Sequence, residues 1–274
     1  MGIEMPVPAK PEGVDAEVWE QMLHATPAEA RHLIREGKFA APTSGLCPGY
    51  AQANLIILPR EQAYDFLLFA QRNPKPCPIL EVTEVGERMT HICAKDCDVA
   101  TDFPGYRIYK DGVMVDEVDD VVDYWRDDWW RSSSAARSAS KANSLRRASR
   151  CATTRRAATC PCTLPTWRAS GRLHERQHGG QHATHPLRPG GEGGADLRRI
   201  PKVHGAPVHI GDPSVIGIKD IAKPDFGDPV DINPGEVPVF WACGVTPQSI
   251  VMNSKPPFAI THAPGYMLIT DTKN

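Results

Sequence analysis

The chain has 274 residues, a formal net charge of −2 at pH 7, 41% hydrophobic residues, 26 Pro and 22 Gly. A chain of this length buries enough surface to hold a core without a disulfide framework or a structural metal. No run approaches the roughly 18 apolar residues of a membrane helix, and the first residues lack the apolar segment of a signal peptide. We therefore expect a globular, cytoplasmic protein with reduced thiols and exclude a membrane-spanning one.

The near-neutral charge hides an uneven distribution. Residues 131–200 contain 13 Arg and 1 Lys against 2 Glu and 1 Asp, a net +11, whereas the other 204 residues carry −13. The same segment has no Val, Met, Phe or Tyr. It cannot bury enough apolar area to offset the entropy of ordering it, so we expect an irregular backbone there.

Two short helices are predicted near the N-terminus. Asp15 can cap a helix that runs through His24. Thr26 and Glu29 have the spacing of a capping box, with Pro at the first helical position, and Gly37 closes this second helix.

Strands and helices follow one another in the rest of the N-terminal part. NLIIL (54–58) is typical of a buried strand, and 61–72 of a helix with Ala63, Phe66, Leu67 and Ala70 on one face. Further strands are predicted over 79–85 and 106–109, with an Asp-Gly hairpin turn leading into 113–115. Residues 116–130 predict an acidic amphipathic helix.

The C-terminal part predicts short strands between Pro- and Gly-rich loops. They are residues 207–211, 237–244, 250–252 and 267–270. The continuous apolar run VPVFWAC indicates a central strand buried on both faces. The fold class expected is α/β, with a mixed sheet, flanking helices and two subdomains.

Several long motifs in these flanking parts resemble the D-glutamate cyclase family, whose bacterial members are usually labelled hydro-lyases. The motifs are CPGYAQANLIILP (47–59), FAQRNPKPCPILEV (69–82), TDFPGYRIYKDG (101–112), KVHGAPVHIGDP (202–213), KPDFGD (223–228), GEVPVFWACGVTPQ (235–248) and ITHAPGYMLITD (260–271). One departure is Tyr266, where the family pattern has a His.

The resemblance implies a hydro-lyase that converts D-glutamate to 5-oxo-D-proline with loss of water. It implies no cofactor, and the expected partners are an amino-acid substrate and, in a homo-oligomer, further copies of the chain. A non-catalytic small-molecule-binding or accessory protein of oxoproline metabolism is the alternative. A second alternative is nucleic-acid binding through the basic residues 131–200, although we expect no nucleic acid and no membrane as partners.

The reaction must fix two carboxylates, deprotonate an ammonium group and protonate a departing hydroxyl. Arg72, Asn73 and Lys75 lie on a Pro-braced loop and can bind a carboxylate; a solvated surface loop is the other interpretation. His209 is the first acid/base candidate, with Asp212 expected to orient it. His204, His209 and Asp212 have a weak metal-ligand spacing, so we predict no metal, and a structural role stays open.

The second acid/base candidate is His262, which with Thr261 is placed in an active-site loop (261–265) before the last strand. Thr246 and Gln248 follow the strand 237–244, and Gln52 and Asn54 precede or begin the first strand. We expect these four polar side chains to line a carboxylate or oxyanion site. Cys243 is either a core residue or an acyl carrier.

The resemblance also offers an explanation for the basic segment. Family members carry strings resembling GRNVPMYLTNV and MVVSMRPI, which are missing here. The codons for residues 156–167, read from the third base of Arg156, allow the first string. Those for 178–186, read from the second base of His178, allow the second string, and the first offset turns 134–141 into the family-like GCSFGFE.

We therefore hypothesise that residues from about 132 to 199 are largely an out-of-frame translation, which leaves this chain poorly folded and weakly active or inactive. The domain organisation predicted is an N-terminal α/β part (1–130), a frame-disrupted segment in place of a middle subdomain (131–200), and C-terminal strands that complete the core (201–274).

Overall fold

Three helices and eleven strands make up the part of the chain that the computed structural model describes, which is residues 8–74, 77–136, 162–163, 180–186, 207–224, 232, 236–242 and 254–273. The helices are α1 (Ala16–His24), α2 (Pro27–Arg35) and α3 (Arg60–Arg72). The strands are β1 (Tyr50–Pro59), β2 (Ile79–Val82), β3 (Tyr106–Lys110), β4 (Val113–Val118), β5 (Trp129–Ala136), β6 (Cys162–Thr163), β7 (Gly180–Pro186), β8 (His209–Ile210), β9 (Glu236–Ala242), β10 (Ala259–His262) and β11 (Leu268–Lys273). A short 3₁₀ helix, η1, spans Pro213–Ile216.

The strands form two sheets. The first has seven strands in the order β2-β5-β1-β10-β3-β4, with β11 also paired to β1. The second has four strands in the order β6-β7-β9-β8. The predicted α/β class is confirmed, and every strand pair among the described residues is antiparallel.

Strand β1 is the centre of the first sheet. Residues 51–58 are all buried, because the sheet is covered on both faces. Leu55 and Ile57 belong to one core cluster, which contains Phe103, while Ile56 and Leu58 pack with the α3 residues Phe66 and Phe69 in another. The predicted strand and the helix after it are confirmed, and β1 is longer than the apolar run alone indicated.

Both predicted N-terminal caps are present. The Asp15 carboxylate accepts hydrogen bonds from the amides of Glu17 and Val18 at 2.8 and 3.2 Å. Thr26 and Glu29 form the predicted capping box, in which the Thr26 amide donates to the Glu29 carboxylate at 2.8 Å. Caps of this kind each stabilise a helix by about 1 kcal/mol.

The Asp-Gly hairpin is confirmed as well. Asp111 and Gly112 both have positive φ, 51° and 78°, as a two-residue turn between right-twisted strands requires. The turn joins β3 to β4, which lies at the edge of the first sheet.

The helix predicted over 116–130 is wrong. Strand β4 continues to Val118, the next residues form turns, and β5 begins at Trp129. The Asp120 carboxylate accepts a hydrogen bond from the Val122 amide at 3.0 Å, which gives this backbone a local alternative to helical bonding. Leu67 was predicted to share the apolar face of α3, but its exposed fraction is 39%. Phe69 is buried in that helix instead.

The irregular backbone expected for the basic segment is wrong for three stretches, namely β5, β6 and β7. Strand β5 pairs with β1 along its whole length, and β7 pairs with β9 in the same way. The strand predicted at 250–252 lies outside the described residues. No helix in the described ranges is long and apolar enough to cross a membrane.

A buried carboxylate anchors the long connection between β2 and β3. Glu81, which is 4% exposed, accepts hydrogen bonds from three consecutive amides, those of His91, Ile92 and Cys93, at 2.7, 3.1 and 2.8 Å. Burial alone would raise the pKa of Glu81, but the hydrogen bonds from these amides outweigh it and lower the pKa. The connection is therefore held by a charge-assisted contact that depends on pH.

We expect Glu81→Gln to lower the free energy of unfolding by about 1–3 kcal/mol at neutral pH, because an amide replaces a carboxylate that accepts three bonds. The matched control is Glu117→Gln, which removes a surface ion pair with Arg107 and costs at most about 1 kcal/mol. Because the folded pKa of Glu81 is lowered, its contribution is present above the unfolded pKa of about 4.3 and is lost as the pH falls. Urea unfolding of both variants at neutral and acid pH measures this; equal losses at every pH would contradict it.

Candidate functional site

The first candidate, His209, is the first residue of β8, just before the turn that leads into η1. Its Nε2 is 2.7 Å from the carbonyl oxygen of Asp212. A carbonyl only accepts, so Nε2 carries the hydrogen and the neutral ring leaves Nδ1 unprotonated. Nδ1 has no hydrogen-bond partner among the described residues, and the side chain is partly accessible to solvent. This geometry suits a base that accepts a proton at Nδ1.

A glycine makes this turn possible. Gly211 has φ of 102°, a conformation that L side chains rarely adopt, and its amide donates to the Pro238 carbonyl at 2.9 Å. The chain is thereby folded back so that the Asp212 carbonyl reaches the imidazole of His209.

Asp212 contacts His209 through its main chain, and its carboxylate has a different task. Oδ1 accepts a hydrogen bond from the Ser214 amide at 2.9 Å and caps η1. This amide hydrogen bond lowers the pKa of Asp212, with a smaller contribution from the nearby His209. The contact between Asp212 and His209 is thus made by the Asp212 carbonyl, while His204 lies outside the described residues.

Phe240 is a neighbour of His209 that the sequence analysis did not single out. The two ring centroids are 5.9 Å apart and the ring planes meet at 29°. Phe240 is fully buried and packs with Ile216 and Ile218. The sequence predicted that Phe240 lies in an apolar strand. It did not predict the strand register that sets Phe240 opposite His209.

The second candidate, His262, lies in a different environment. It is the last residue of β10 rather than part of a loop, and it is 4% exposed. Its Nδ1 accepts a hydrogen bond from the Leu55 amide at 3.2 Å. Burial, with a smaller contribution from the charge on Arg107, lowers the pKa of His262 to about 4. The imidazole is therefore neutral at pH 7 and holds a transferred proton poorly.

His262 completes the hydrogen bonding of β1. On one edge of this strand, β10 pairs with Ile56 and Ile57, whereas β11 pairs from Ala53 toward the start of the strand. The Leu55 amide lies between the two partners and donates to the imidazole instead. The side chain thus satisfies a buried amide.

Three further predicted residues lie in the interior of the first sheet. Thr261 is fully buried and its Oγ1 donates to the His262 carbonyl at 3.1 Å. Gln52 is fully buried, and its Nε2 donates to the Thr43 carbonyl at 2.7 Å. Asn54 is 4% exposed within β1. The side chains of Thr261 and Gln52 are thus engaged in hydrogen bonds to the backbone.

The predicted carboxylate-binding loop begins where α3 ends. Arg72 is exposed at the last turn of the helix. Asn73 is buried, and its Nδ2 donates to the Phe69 carbonyl at 2.8 Å, so it terminates the helix. Lys75, Thr246, Gln248 and Cys243 lie outside the described residues. No group of three or more His, Cys, Asp or Glu in the described ranges is arranged to hold a metal ion.

The lowered pKa of His262 predicts acid sensitivity. The pKa of His262 is about 4 in the folded protein and is ordinarily 6.5. Between these two pH values the unfolded state therefore binds a proton more readily than the folded state. Stability from the neutral ring is complete above about pH 6.5 and falls toward pH 4, by about 3 kcal/mol in all. We expect His262→Gln to be less stable than the parent at neutral pH but to lose less stability over that window. Urea unfolding at several pH values measures this, with the exposed His24→Gln as control; parallel losses in all three chains would contradict it.

Comparison of the sequence with known proteins identifies the family of this chain. The model of the family described as D-glutamate cyclase matches residues 195–271, which include His209, Asp212 and His262. A Clostridium beijerinckii protein named "Putative hydro-lyase" is 51% identical over 253 residues, covering 90% of this chain and 95% of its own length. The "Putative hydro-lyase YcsI" of Bacillus subtilis is 45% identical over 254 residues, covering 90% and 97%.

A solved structure, that of a nitrogen repressor-like protein MJ0159 from Methanococcus jannaschii, is 9% identical with a TM-score of 0.37, covering 89% of this chain and 98% of that one. At this TM-score the likeness bears on neither fold nor function. The sequence relatives are decisive, since two of them match nine tenths of the chain at 45% identity or more. The chain belongs to the D-glutamate cyclase family of hydro-lyases, as its motifs predicted.

Proposed function

We propose that the protein catalyses the dehydrative cyclisation of D-glutamate to 5-oxo-D-proline. In this reaction the α-nitrogen forms a bond to the carbon of the γ-carboxyl group (Cδ), and a C–O bond of the same carboxyl group breaks. The lactam keeps one hydrogen of the original ammonium group, and the other two leave with the oxygen as water. The protein must therefore move two protons from the nitrogen to the departing oxygen.

The observation that carries this proposal is the fixed imidazole of His209. One nitrogen donates to a carbonyl and the other has no partner among the described residues. A single nitrogen that accepts a proton from the ammonium group and then delivers it to the oxygen can make both transfers in turn. A chain in the D-glutamate cyclase family with such a group needs no second titrating residue.

The other predicted residues take supporting parts in the proposal. Arg72 is the exposed cation that is assigned to a substrate carboxylate, since a guanidinium binds carboxylates in a bidentate manner. Lys75, Thr246 and Gln248 are assigned to the same task by the resemblance alone. His262 supports the site as a neutral ring that holds β1 to β10, because its low pKa makes it a poor base at neutral pH.

We expect the protein with its frame restored over residues 132–199 to convert D-glutamate to 5-oxoproline and water, with L-glutamate as the stereochemical control. His209→Gln keeps a donor for the Asp212 carbonyl but removes the basic nitrogen, so kcat should fall about 10²–10⁴-fold. The matched control, Asp212→Asn, keeps both the carbonyl and a good helix cap and should change kcat by less than about threefold. Product formation is measured by chiral chromatography with mass detection.

Two outcomes would contradict the proposal. One is binding of D-glutamate or 5-oxoproline without turnover, which would indicate an accessory binding protein. The other is an Asp212→Asn variant as inactive as His209→Gln, which would return the orienting role to the carboxylate.

We also propose that residues from about 132 to 199 are a largely out-of-frame translation of the natural protein. The described strands in this segment support it. Strand β5 overlaps the restored string at 134–141, β6 overlaps that at 156–167, and β7 overlaps that at 178–186.

The sheet positions of these strands add a second argument. Strand β5 lies between β2 and the doubly buried β1, where the register sets Ser132, Ser133 and Ser134 opposite Ile56, Leu55 and Asn54. Interior strands of a covered sheet are usually apolar, so a run of serines conflicts with this position.

Restoring the frame over 132–199 should raise the melting temperature and the cyclisation rate relative to the chain as written, because apolar residues would occupy interior strands. Calorimetry and the same product assay on both chains measure this. A control chain with the Arg of 137–199 replaced by Gln separates the effect of charge from that of restored side chains. Equal melting temperatures and equal activities of the written and restored chains would refute the proposal.

A further inference from the structure

We infer that Phe240 is a positioning residue for His209, one that fixes the plane of the imidazole and so the direction in which Nδ1 accepts a proton. This inference rests on the proposed function, since it deepens the account of the same base. It starts from the ring contact between the two side chains, which lies within the usual range for stacked aromatic pairs.

Phe240 is itself packed in the core. Its side chain is fully buried in a cluster with Ile216 and Ile218, which follow the turn that carries His209. The Phe240 carbonyl accepts a hydrogen bond from the Val208 amide at 2.8 Å, and the register pairs His209 directly with Phe240. The ring that His209 contacts is therefore part of the core and not a mobile surface group.

The hydrogen bond to Asp212 is insufficient by itself to orient His209. It pins one ring atom, Nε2, while the imidazole has two side-chain torsions to be fixed. A ring held at one atom can still tilt about that contact and swing Nδ1 away. The contact with the Phe240 face opposes this tilt, so the two contacts together define the ring plane.

The exposure of His209 makes this support necessary. The side chain is only partly buried, so solvent replaces protein over part of its surface. Positioning of a reacting group within about 1 Å can change a rate by about 10²-fold. Loss of the supporting ring should therefore lower kcat more than it weakens substrate binding.

The test compares Phe240→Leu with Ile216→Ala in the full-length chain, as written and with the frame restored. Both substitutions shorten a buried side chain of the same cluster, but only the first removes the ring that faces His209. For Phe240→Leu we expect kcat to fall about tenfold with KM changed less than about twofold. Ile216→Ala should lower the melting temperature similarly and leave kcat within about twofold of the parent. Phe240→Met is the second variant if Phe240→Leu does not fold, because it conserves more volume.

A spectroscopic readout separates positioning from stability. In ¹⁵N-labelled protein the His209 ring, assigned by its loss in His209→Gln, should show an unprotonated Nδ1 and a protonated Nε2. Phe240→Leu should populate both tautomers, whereas Ile216→Ala should keep the parent pattern. Identical tautomers and rates in the two variants would overturn the inference. If no form of the chain cyclises D-glutamate, the proposed function fails, and the tautomer comparison still decides the role of Phe240.

Discussion

The first sheet depends on one strand, β1, being buried on both faces and paired on both edges. Eight consecutive residues, 51–58, are buried, so each main-chain polar group of this stretch needs a partner inside the protein. Strand β5 supplies partners on one edge, and β10 and β11 divide the other. An amide left without an acceptor at their junction would cost about 1–3 kcal/mol. The imidazole of His262 provides that acceptor for the Leu55 amide. Its unprotonated Nδ1 therefore helps to hold the sheet together.

The two candidate histidines show how environment divides the chemistry of one residue type. His262 uses Nδ1 as an acceptor inside the core, and burial keeps it uncharged at neutral pH. His209 uses Nε2 as a donor at the partly exposed start of β8, and no described residue forms a hydrogen bond with its Nδ1. The same ring thus serves as a fixed element of the sheet in one place and as the proposed proton carrier in the other. The sequence motifs offered both as acid/base candidates, because neither shows how far each ring is buried.

Local features of the fold were predictable, whereas features that depend on distant pairing were not. The capping box at Thr26 and the turn at Asp111 need only neighbouring residues, and both are confirmed. The burial of His262 depends on Leu55, which is 207 positions away, so an apparent loop before the last strand is in fact the end of β10. The error over 116–130 has a related cause, because the strand β4 and the Asp120 turn compete with an acidic helical pattern. For the candidate site the residue types were predictable, but the atom of Asp212 that contacts His209 was not.

The unusual composition of the basic segment and the candidate site are physically connected through the second sheet. Phe240 lies on β9, between β8 and β7, with His209 opposite it on one side and His182 on the other. Strand β7 therefore supports the strand that carries the ring facing His209, although none of its residues is proposed to touch substrate. The Gly-Gln-His-Ala-Thr-His sequence gives this interior strand little apolar surface for packing. An apolar β7 would form stronger cross-strand contacts with β9, its neighbour in the sheet. Restoring the natural sequence of β7 should consequently affect the position of His209 through β9, the strand between them. The resulting change in kcat should depend on the presence of the Phe240 ring.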